Sequence, residues 1–481
     1  MDTVPATFAD FILLHAKTQP DKPAIILADR VATYGMLGQG MLRVEDRIRA
    51  LGLAPGDLVC VSIDNAIRHL IVVAALFRLG LPVVAAANVK EFSVLGLPIK
   101  LFLHDTSEDL VPGLRQALVG DSWFTGDDRS IDRGGGPGFA NDNTMCRVAI
   151  SSGTTGRPKA ISISVKALNH KIGTCALTLN FAAWDRLMCL PALAGDFGFK
   201  YAAHVLRAGK MLLIAKSANS ILVMMSVYRA DVLVASPQQL RDLVAEQKKS
   251  SIQCTSLRLI RSGGSLLTRE LLLQVRARLC NLVVNGFGSA EAGTAAVALA
   301  DSLMEINGAI GFIEPDVDIE AVDEQDRVLS AGVEGIIRMR TPALGAPYPP
   351  GRADAHAGFR DGWFYPGDRG RIMPNGMLVL TGRASEVINS GGVKVAPELI
   401  DETVLLHEKI ADAAAFGAMG ASGIDEICVA VKTRAPITET EIINWCAARK
   451  LEVARVFFVE QLPRTATGKI KREALKRQLL S

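Results

Sequence analysis

Short apolar runs alternate with helical patterns over much of the N-terminal part of the chain. The runs PAIIL, DLVCVSI, PVVAAA and IKLFLH have the length and composition of buried strands, and AIRHLIVVAALFRLG has a helical pattern. The alternation returns between Met211 and Gly288, where helical patterns separate the runs MLLIA, DVLVAS, LRLIRSGG and NLVVNGFG. Repeated strand–helix units predict an α/β fold with helices on the faces of a parallel sheet. Ligands of such sheets bind beyond the carboxyl ends of the strands, where SGG and NGFG both fall.

The pattern changes between about Asp316 and Leu380. Short alternating runs separated by Gly, Pro and Asp turns predict β-hairpins and a small barrel there. A shorter α+β pattern follows Arg383 and continues to the end of the chain. We therefore predict two domains, residues 1–383 and 384–481, with a boundary near TGRASE.

Composition narrows the classes of protein. The 481 residues are 49% hydrophobic and 21% charged, which is enough for a large core and more than one domain. The net charge of +3 gives no reason to expect a nucleic acid or an anionic membrane as a partner. Eight scattered Cys with no C-x-x-C pair argue against a zinc site and for a reducing compartment. With no secretory signal pattern and no apolar run of membrane-spanning length, we predict a cytoplasmic protein.

The stretch SSGTTGRPKA, residues 151–160, combines two Gly, four hydroxyl side chains, an Arg and a Lys. Strand patterns precede and follow it, so it lacks the helix start that a Walker phosphate loop requires. An anion there would be held by backbone N–H groups and by side chains. The alternative is a flexible, hydroxyl-rich hairpin tip. The candidate residues are Ser151, Ser152, Gly153, Thr154, Thr155, Gly156 and Lys159.

Further segments extend this pattern in a fixed order. They are RSGGSLL (Arg261–Leu267), GFGSAEAG (Gly286–Gly293), GWFYPGDRGRI (Gly362–Ile372), GRASEVINSGGVKVAPELID and PRTATGKIKR. Together with SSGTTGRPKA, they resemble the motifs of the adenylate-forming superfamily, which contains acyl-CoA synthetases, carrier-loading adenylation domains and luciferases. The resemblance implies an α/β fold whose large N-terminal domain has two helix-covered sheets and a small β-barrel. It also implies a smaller, mobile α+β C-terminal domain.

The resemblance implies roles for several residues in binding ATP and Mg²⁺. Glu291 matches a Mg²⁺-binding glutamate, and Phe287, beside Gly288, matches an aromatic residue that packs on adenine. Gly264 and Ser265 lie in the turn that borders the adenine, and Asp368 matches an acid that binds both ribose hydroxyls. The alternatives are a solvated acid at a helix start for Glu291, a core Phe for Phe287 and a turn Asp for Asp368.

The resemblance also implies roles in phosphate contact and catalysis. Arg383 would bind ribose or phosphate, or else form a surface salt bridge at the hinge. Thr155 and Lys159 would contact the β- and γ-phosphates. Lys469 would place its ammonium between the substrate carboxylate and the α-phosphate. The alternative, from the composition of the surrounding segment alone, is a Lys in a solvated basic tail.

Rotation of the C-terminal domain is expected between the two half-reactions of such enzymes. Ser385 stands at the hinge position, where Asp or Lys is usual, and a small polar residue tolerates the dihedral change. Gly391 and Gly392 would then let a slender thiol arm pass close to the backbone, although a plain hairpin turn is the alternative.

Besides Ser385, three further positions depart from the family pattern, and one residue is unexplained. Ala290 replaces a Thr before the glutamate, Pro366 replaces a Thr before Gly-Asp, and Ala194 stands where many ligases have His. Asp196, two residues later, could meet an amine or hydroxyl of the substrate, cap the following helix or face solvent. We therefore predict a substrate pocket that includes Ala194, Asp196 and Gly286.

The sequence favours an AMP-forming acid–CoA ligase, with ATP, Mg²⁺ and coenzyme A and with a small carboxylic acid as substrate. The closest alternative is a stand-alone adenylating enzyme that passes the acyl group to a carrier protein or to an amine. A non-catalytic nucleotide-binding scaffold is a third possibility, which the joint presence of Lys159, Glu291, Asp368 and Lys469 disfavours.

Overall fold

The structure is a computed structural model of the 481-residue chain. It describes residues 5–85, 95–106, 111–130, 136–152, 158–265, 267–306, 308–348, 358–383, 388–390, 393–395, 397–420, 425–464 and 470–480. The side chains of Ser151, Ser152, Pro158 and Arg383 lie outside this description, as do several in residues 389–402 and that of Asp425.

The strands in the described residues belong to four sheets. They are β1 (Pro23–Ile26), β2 (Val31–Thr33), β3 (Leu58–Ser62), β4 (Val83–Ala85), β5 (Ile99–His104), β6 (Gln116–Leu118), β7 (Met145–Ser152), β8 (Pro158–Ser164), β9 (Arg186–Cys189), β10 (Met211–Leu213), β11 (Val232–Ala235), β12 (Leu259–Gly263), β13 (Val283–Ser289), β14 (Gly293–Leu299), β15 (Ala309–Ile313), β16 (Asp318–Val322), β17 (Gly335–Arg340), β18 (Ala346–Tyr348), β19 (Phe359–Arg360), β20 (Trp363–Phe364), β21 (Asp368–Ile372), β22 (Met377–Arg383), β23 (Ile388–Ser390), β24 (Val393–Val395), β25 (Ile410–Met419), β26 (Asp425–Thr433) and β27 (Val453–Phe458).

Helices cover the faces of these strands. They are α1 (Phe8–Thr18), α2 (Tyr34–Ala50), α3 (Ala66–Arg78), α4 (Val165–Gly173), α5 (Cys175–Leu179), α6 (Asp196–Arg207), α7 (Ala218–Val227), α8 (Pro237–Gln247), α9 (Arg269–Arg278), α10 (Pro397–Leu405), α11 (Glu439–Ala447) and α12 (Arg472–Leu480), with 3₁₀ turns at Asp121–Trp123 and Ala300–Leu303.

Two large sheets carry residues up to Arg383. A 7-stranded sheet has the order β18-β8-β7-β4-β3-β5-β6, in which β4, β3, β5 and β6 run parallel. A 15-stranded sheet has a parallel part, β12-β11-β9-β10-β1, in which β1, β10, β11 and β12 are predicted strands and β9 is an additional one. These helix-covered sheets confirm the predicted α/β class.

The segment predicted as hairpins and a small barrel forms antiparallel strands. Among the described residues, β14, β15, β22, β21, β17 and β20 pair in succession and continue the 15-stranded sheet from β13. This continuity places the Gly-Asp segment in the same sheet as the Gly-rich ends of β12 and β13.

The main core lies where α1, α3 and α6 meet. Phe8 packs edge-on against both Phe77 and Phe199, with ring centroids 5.5 Å apart in each pair. All three side chains are at most 1% exposed, and they belong to an apolar cluster that reaches both large sheets. Dense packing of this kind fixes helix α6 relative to the strands, so the residues at its start have defined positions.

The residues after Arg383 form cores of their own. A three-stranded sheet, β25-β26-β27, packs with α10, α11 and α12, and its apolar clusters contain only residues from Ile388 onward. Arg472, the first residue of α12, donates to Asp401 of α10 over 2.6 Å and to the carbonyl oxygen of Ala415 over 2.7 Å. This buried contact fixes the start of α12, three residues after Lys469.

Two sequence expectations can be compared with these elements. All eight Cys are buried free thiols, as expected from their scattered positions. Of the helices in the described ranges, none combines the length and the apolar character that a bilayer crossing requires.

Candidate functional site

The carboxyl ends of β12 and β13 form the floor of the candidate site. Gly263 and Gly286 are directly paired across these parallel strands. A β-carbon on Gly263 would lie 2.8 Å from the carbonyl oxygen of Gly286, and one on Gly286 would lie 2.8 Å from Nη1 of Arg261. The two glycines therefore leave the space that the Arg261 guanidinium occupies.

A tight hairpin between β13 and β14 presents Glu291. Ser289 and Gly293 face each other at its base, Gly293 has a φ of +73°, and the Ser289 hydroxyl accepts a hydrogen bond from Ala292 N over 3.2 Å. Glu291 is only 9% exposed. The solvated acid at a helix start, which was the alternative for this residue, is therefore wrong. Phe287 is half-buried and packs against an apolar cluster of the antiparallel strands.

Strand β18 joins this hairpin to the SSGTTGRPKA segment. The backbone N–H of Gly345, just before β18, donates to the carbonyl oxygen of Glu291 over 2.8 Å. β18 then pairs with β8, with Tyr348 opposite Ala160. One strand therefore holds the acid-bearing turn next to the strand that carries Lys159. The two strands predicted before and after the loop are confirmed, because β7 and β8 pair with Ser151 opposite Lys159.

Asp368 is the first residue of β21 and follows Gly367, which has a φ of +84°. It is 5% exposed and lies directly opposite Arg383 of β22. Asp368, expected to bind ribose, and Arg383, expected to bind ribose or phosphate, are therefore paired across two neighbouring strands, although the Arg383 side chain lies outside the described atoms.

Lys171 is a site residue that the sequence did not identify. Its ammonium donates to the carbonyl oxygen of Ala290 over 2.6 Å and lies 3.6 Å from Oδ2 of Asp196. The Lys171 side chain is fully buried and that of Asp196 is 7% exposed. Lys171 thus ties the Glu291 turn to the start of α6.

The position of Asp196 excludes two of its three interpretations, a helix cap and a solvent-facing acid. The side chain does not face solvent, and it is not the N-cap, because Gly195 occupies that position of α6. Asp196 Oδ1 is buried and has no hydrogen-bond partner in the described part of the chain. Ala194, which replaces the family His, accepts a hydrogen bond through its carbonyl oxygen from Nη2 of Arg147 over 2.8 Å.

Lys200 and Arg147 are further buried cations that the sequence did not identify. Lys200 donates to the Thr294 hydroxyl over 2.9 Å, and the Arg147 guanidinium lies 4.0 Å from the centroid of the Phe199 ring. Burial lowers the pKa of both Lys200 and Arg147, because a charged group is poorly solvated there. A Lys within the otherwise apolar segment FGFKYAAHVL was the one available sequence signal for Lys200.

Tyr201 and Glu314 complete the surroundings of these cations. Burial raises the pKa of Tyr201 to about 12, so its hydroxyl keeps its proton. The Tyr201 hydroxyl oxygen lies 3.0 Å from Thr178 Oγ1, within hydrogen-bond distance. Burial also raises the pKa of Glu314, and the charges of Arg261 and Lys200 act in the opposite direction. Two buried cations therefore act on the Glu314 carboxyl, which lies close to them.

Several predicted residues lie outside the described residues, and their roles stay predictions. They are Gly153, Thr154, Thr155, Gly156, Ser385, Gly391, Gly392 and Lys469, together with the side chains of Ser151, Ser152 and Arg383. Gly264, with a φ of +95°, and Ser265 follow β12 and are exposed. Gly288 lies in the bulged part of β13, opposite Thr294.

The donor set fits Mg²⁺ held with a nucleotide. In the described ranges, no group of three or more His, Cys, Asp or Glu side chains could hold a metal ion by itself. Mg²⁺ commonly binds through one or two carboxylates plus substrate phosphates and water, rather than in an all-protein cage. Glu291 would supply the carboxylate, and the ion would neutralise phosphate charge when bound.

Comparisons with known proteins agree with this arrangement. Residues 121–348 match the sequence model of a family described as AMP-binding enzyme. The 4-coumarate–CoA ligase 4 of Arabidopsis thaliana is 26% identical over 496 residues, covering 94% of this chain and 86% of that protein. These matches confirm the resemblance to the adenylate-forming superfamily, and this relative is an acid–CoA ligase.

Solved structures show the same fold over nearly the whole chain. O-succinylbenzoate coenzyme A synthetase from Bacillus subtilis, solved with ATP and a magnesium ion, has a TM-score of 0.85 at 22% identity, covering 97% of this chain and 99% of that one. The amide bond synthetase McbA from Marinactinospora thermotolerans has a TM-score of 0.83 at 20% identity, covering 98% and 99% of the two chains. The predicted fold, with a large N-terminal and a smaller C-terminal part, is thereby confirmed.

Loss of the Lys171 ammonium is expected to destabilise the site. Lys171→Met removes the cation that contacts the buried Asp196 carboxylate, and breaking a buried ion pair in this way costs about 3–5 kcal/mol in other proteins. Thermal unfolding should therefore start several degrees lower in this variant. The double variant Lys171→Met/Asp196→Asn should recover part of the loss, because it removes the uncompensated charge.

Lys166→Met, in the same helix α4 but exposed, is the matched control and should unfold like the wild type. Equal unfolding temperatures for Lys171→Met and Lys166→Met would show that the buried ion pair does not hold the site together.

Proposed function

We propose that this protein activates a carboxylic acid with ATP and transfers the acyl group to coenzyme A. In the first step, a carboxylate oxygen attacks the α-phosphorus, the bond to the bridging β-phosphate oxygen breaks, and pyrophosphate leaves. In the second step, the thiol sulfur attacks the acyl carbon of the acyl-adenylate and AMP leaves. The thiol proton passes to solvent.

The observation that carries this proposal is the link through β18. It brings the turn of Glu291 and the strand of Lys159 together, the first a candidate ligand for Mg²⁺ and the second a candidate contact for phosphate. A reaction between a carboxylate and a triphosphate joins two anions, so positioning and charge neutralisation are the main requirements. Buried, fixed groups meet these requirements better than mobile surface groups.

The nucleotide would lie along the ends of β12, β13 and β21. In this arrangement, Phe287 supports the adenine, and Asp368 accepts hydrogen bonds from both ribose hydroxyls, which a two-oxygen acceptor can do. Thr155 and Lys159 would hold the β- and γ-phosphates, and Lys469 would neutralise charge between the carboxylate and the α-phosphate.

The second step would use a different position of the C-terminal part. We propose that residues 384–481 form a domain that turns about Ser385, which would bring Gly391 and Gly392 towards the acyl-adenylate in place of Lys469. The separate apolar cores after Ile388 support a unit that keeps its own fold during such a motion. The buried free thiols support a cytoplasmic location.

The test is pyrophosphate release from ATP across a panel of fatty, aryl, cyclic and amino acids. At least one acid should give acid-dependent release, and adding coenzyme A should give a thioester of the expected mass. Products with amines and with a carrier protein should be compared in the same way. If products form with amines or a carrier protein but a thioester with coenzyme A never forms, the proposed CoA ligase activity is wrong, and the protein is a stand-alone adenylating enzyme. The absence of any acid-dependent release would exclude both.

Lys469→Ala should selectively impair adenylation. Its compact positive charge is expected to act on the pair of anions in the first step, so the rate of pyrophosphate release should fall at least about 100-fold. Thioester formation from added acyl-adenylate should be retained, because the lysine would leave the site before that step.

Lys471→Ala is the matched control, because Lys471 lies two residues further along the same basic segment and is not singled out by the family pattern. Near wild-type adenylation by Lys469→Ala, or an equal loss in both variants, would contradict the assigned role.

A further inference from the structure

Arg261 and Lys200 lie where the predicted acid pocket meets helix α6. A β-carbon on Gly263 would be 2.9 Å from Nη1 of Arg261 and 3.6 Å from Cζ of Phe197. The Lys200 ammonium lies 6.0 Å from the centroid of the same Phe197 ring. Both cations therefore lie near the Phe197 ring. This ring is beside the Gly-rich ends of β12 and β13, next to the predicted pocket residue Gly286.

Several buried cations lie around the start of helix α6 in the described residues. The buried cations are Arg147, Lys171, Lys200 and Arg261, each at most 6% exposed. In the described ranges, Asp196 acts on Arg147 and Lys200, and the charges of Arg261 and Lys200 act on Glu314. Lys171 already pairs with Asp196.

Neither Lys200 nor Arg261 has an ionic partner in the described part of the chain. Among the described residues, Lys200 donates only to the neutral hydroxyl of Thr294. Arg261 donates to the carbonyl oxygen of Ser262, and its Nε is buried and has no partner in the described residues. The neighbouring Ser262 hydroxyl is buried and also lacks a partner there. Buried charges normally have a counter-ion, because desolvation without one is costly.

We propose that the acid which this enzyme activates carries a second carboxylate, and that Lys200 and Arg261 bind it while the first carboxylate is adenylated. This inference rests on the proposed function and names the substrate class of the same site.

The chemistry of the two cations suits a carboxylate at this place. A guanidinium binds a carboxylate through parallel N–H donors, and an ammonium adds a point charge. The half-buried Phe197 ring gives the connecting part of the substrate an aromatic wall, and it packs edge-on against the buried Tyr201 ring, with centroids 5.6 Å apart. Thr294 and Ser262 keep the cations in place with neutral acceptors, so their positive charge stays available to the ligand.

The inference is tested by measuring pyrophosphate release by the full-length enzyme for matched pairs of acids. Each pair shares one skeleton and differs by the second carboxylate, for example hexanoate with hexanedioate, benzoate with benzene-1,4-dicarboxylate, and 3-phenylpropanoate with 3-(4-carboxyphenyl)propanoate. We expect kcat/KM for the diacid to exceed that for the monoacid at least about tenfold in one or more pairs, because a site with buried polar groups rejects a ligand that leaves them unpaired.

Lys200→Met tests the binding group itself. Methionine keeps most of the apolar contacts of the side chain and removes the charge, so the ratio of diacid to monoacid kcat/KM should fall towards one. Lys166→Met, an exposed change in helix α4, should leave that ratio unchanged. Thermal unfolding of Lys200→Met would show whether the variant is folded. The comparison of diacids with monoacids uses the wild-type enzyme and does not depend on that variant.

The possible outcomes separate this inference from the proposed function. Release with monoacids that equals or exceeds release with their diacids in every pair would overturn the second-carboxylate site and leave acid activation standing. An unchanged ratio in a folded Lys200→Met would also overturn it. No acid-dependent release with any acid would instead contradict the proposed function.

Discussion

The contact between Lys171 and its two acceptors is the interaction on which the rest of the site depends. One fully buried ammonium joins the carbonyl oxygen of Ala290 to the carboxylate of Asp196. These acceptors belong to different elements, the β13–β14 turn and the start of helix α6. Because the turn also receives the hydrogen bond from Gly345, it is fixed from both large sheets. Glu291 therefore has a defined position before any ligand binds, which is the condition for electrostatic preorganisation.

The same packing explains why strong positive charge can exist inside this fold. Helix α6 is fixed by the aromatic contacts of Phe199, and the cations on and around it cannot turn out to water. Neutral acceptors such as Thr294 and the Ala194 carbonyl hold their donors without cancelling their charge. A site of this kind attracts anions, and the proposed reaction requires that two of them approach each other.

Sequence and structure agree best where a residue's position follows from its local pattern. Glu291 and Asp368 each lie beside a glycine-dependent turn, and the strands on both sides of SSGTTGRPKA follow from simple alternation. Lys171 and Lys200 could not be predicted in the same way, because their roles depend on how α4 and α6 pack against the strands. Lys171, the partner of Asp196, is 25 residues away in sequence, and no periodicity points to this pair. Likewise, the pairing of β15 with β22 that extends the large sheet is a long-range contact.

The most direct test of the account follows the oxygen atoms of the acid. An acid labelled with ¹⁸O in the carboxylate that reacts should be converted with ATP and coenzyme A, and the products analysed by mass spectrometry. If a carboxylate oxygen attacks the α-phosphorus, the AMP released should carry one ¹⁸O atom, and pyrophosphate should carry none. Labelled inorganic phosphate together with unlabelled ADP would mean attack at the γ-phosphate, and would contradict adenylation as the activity of this protein.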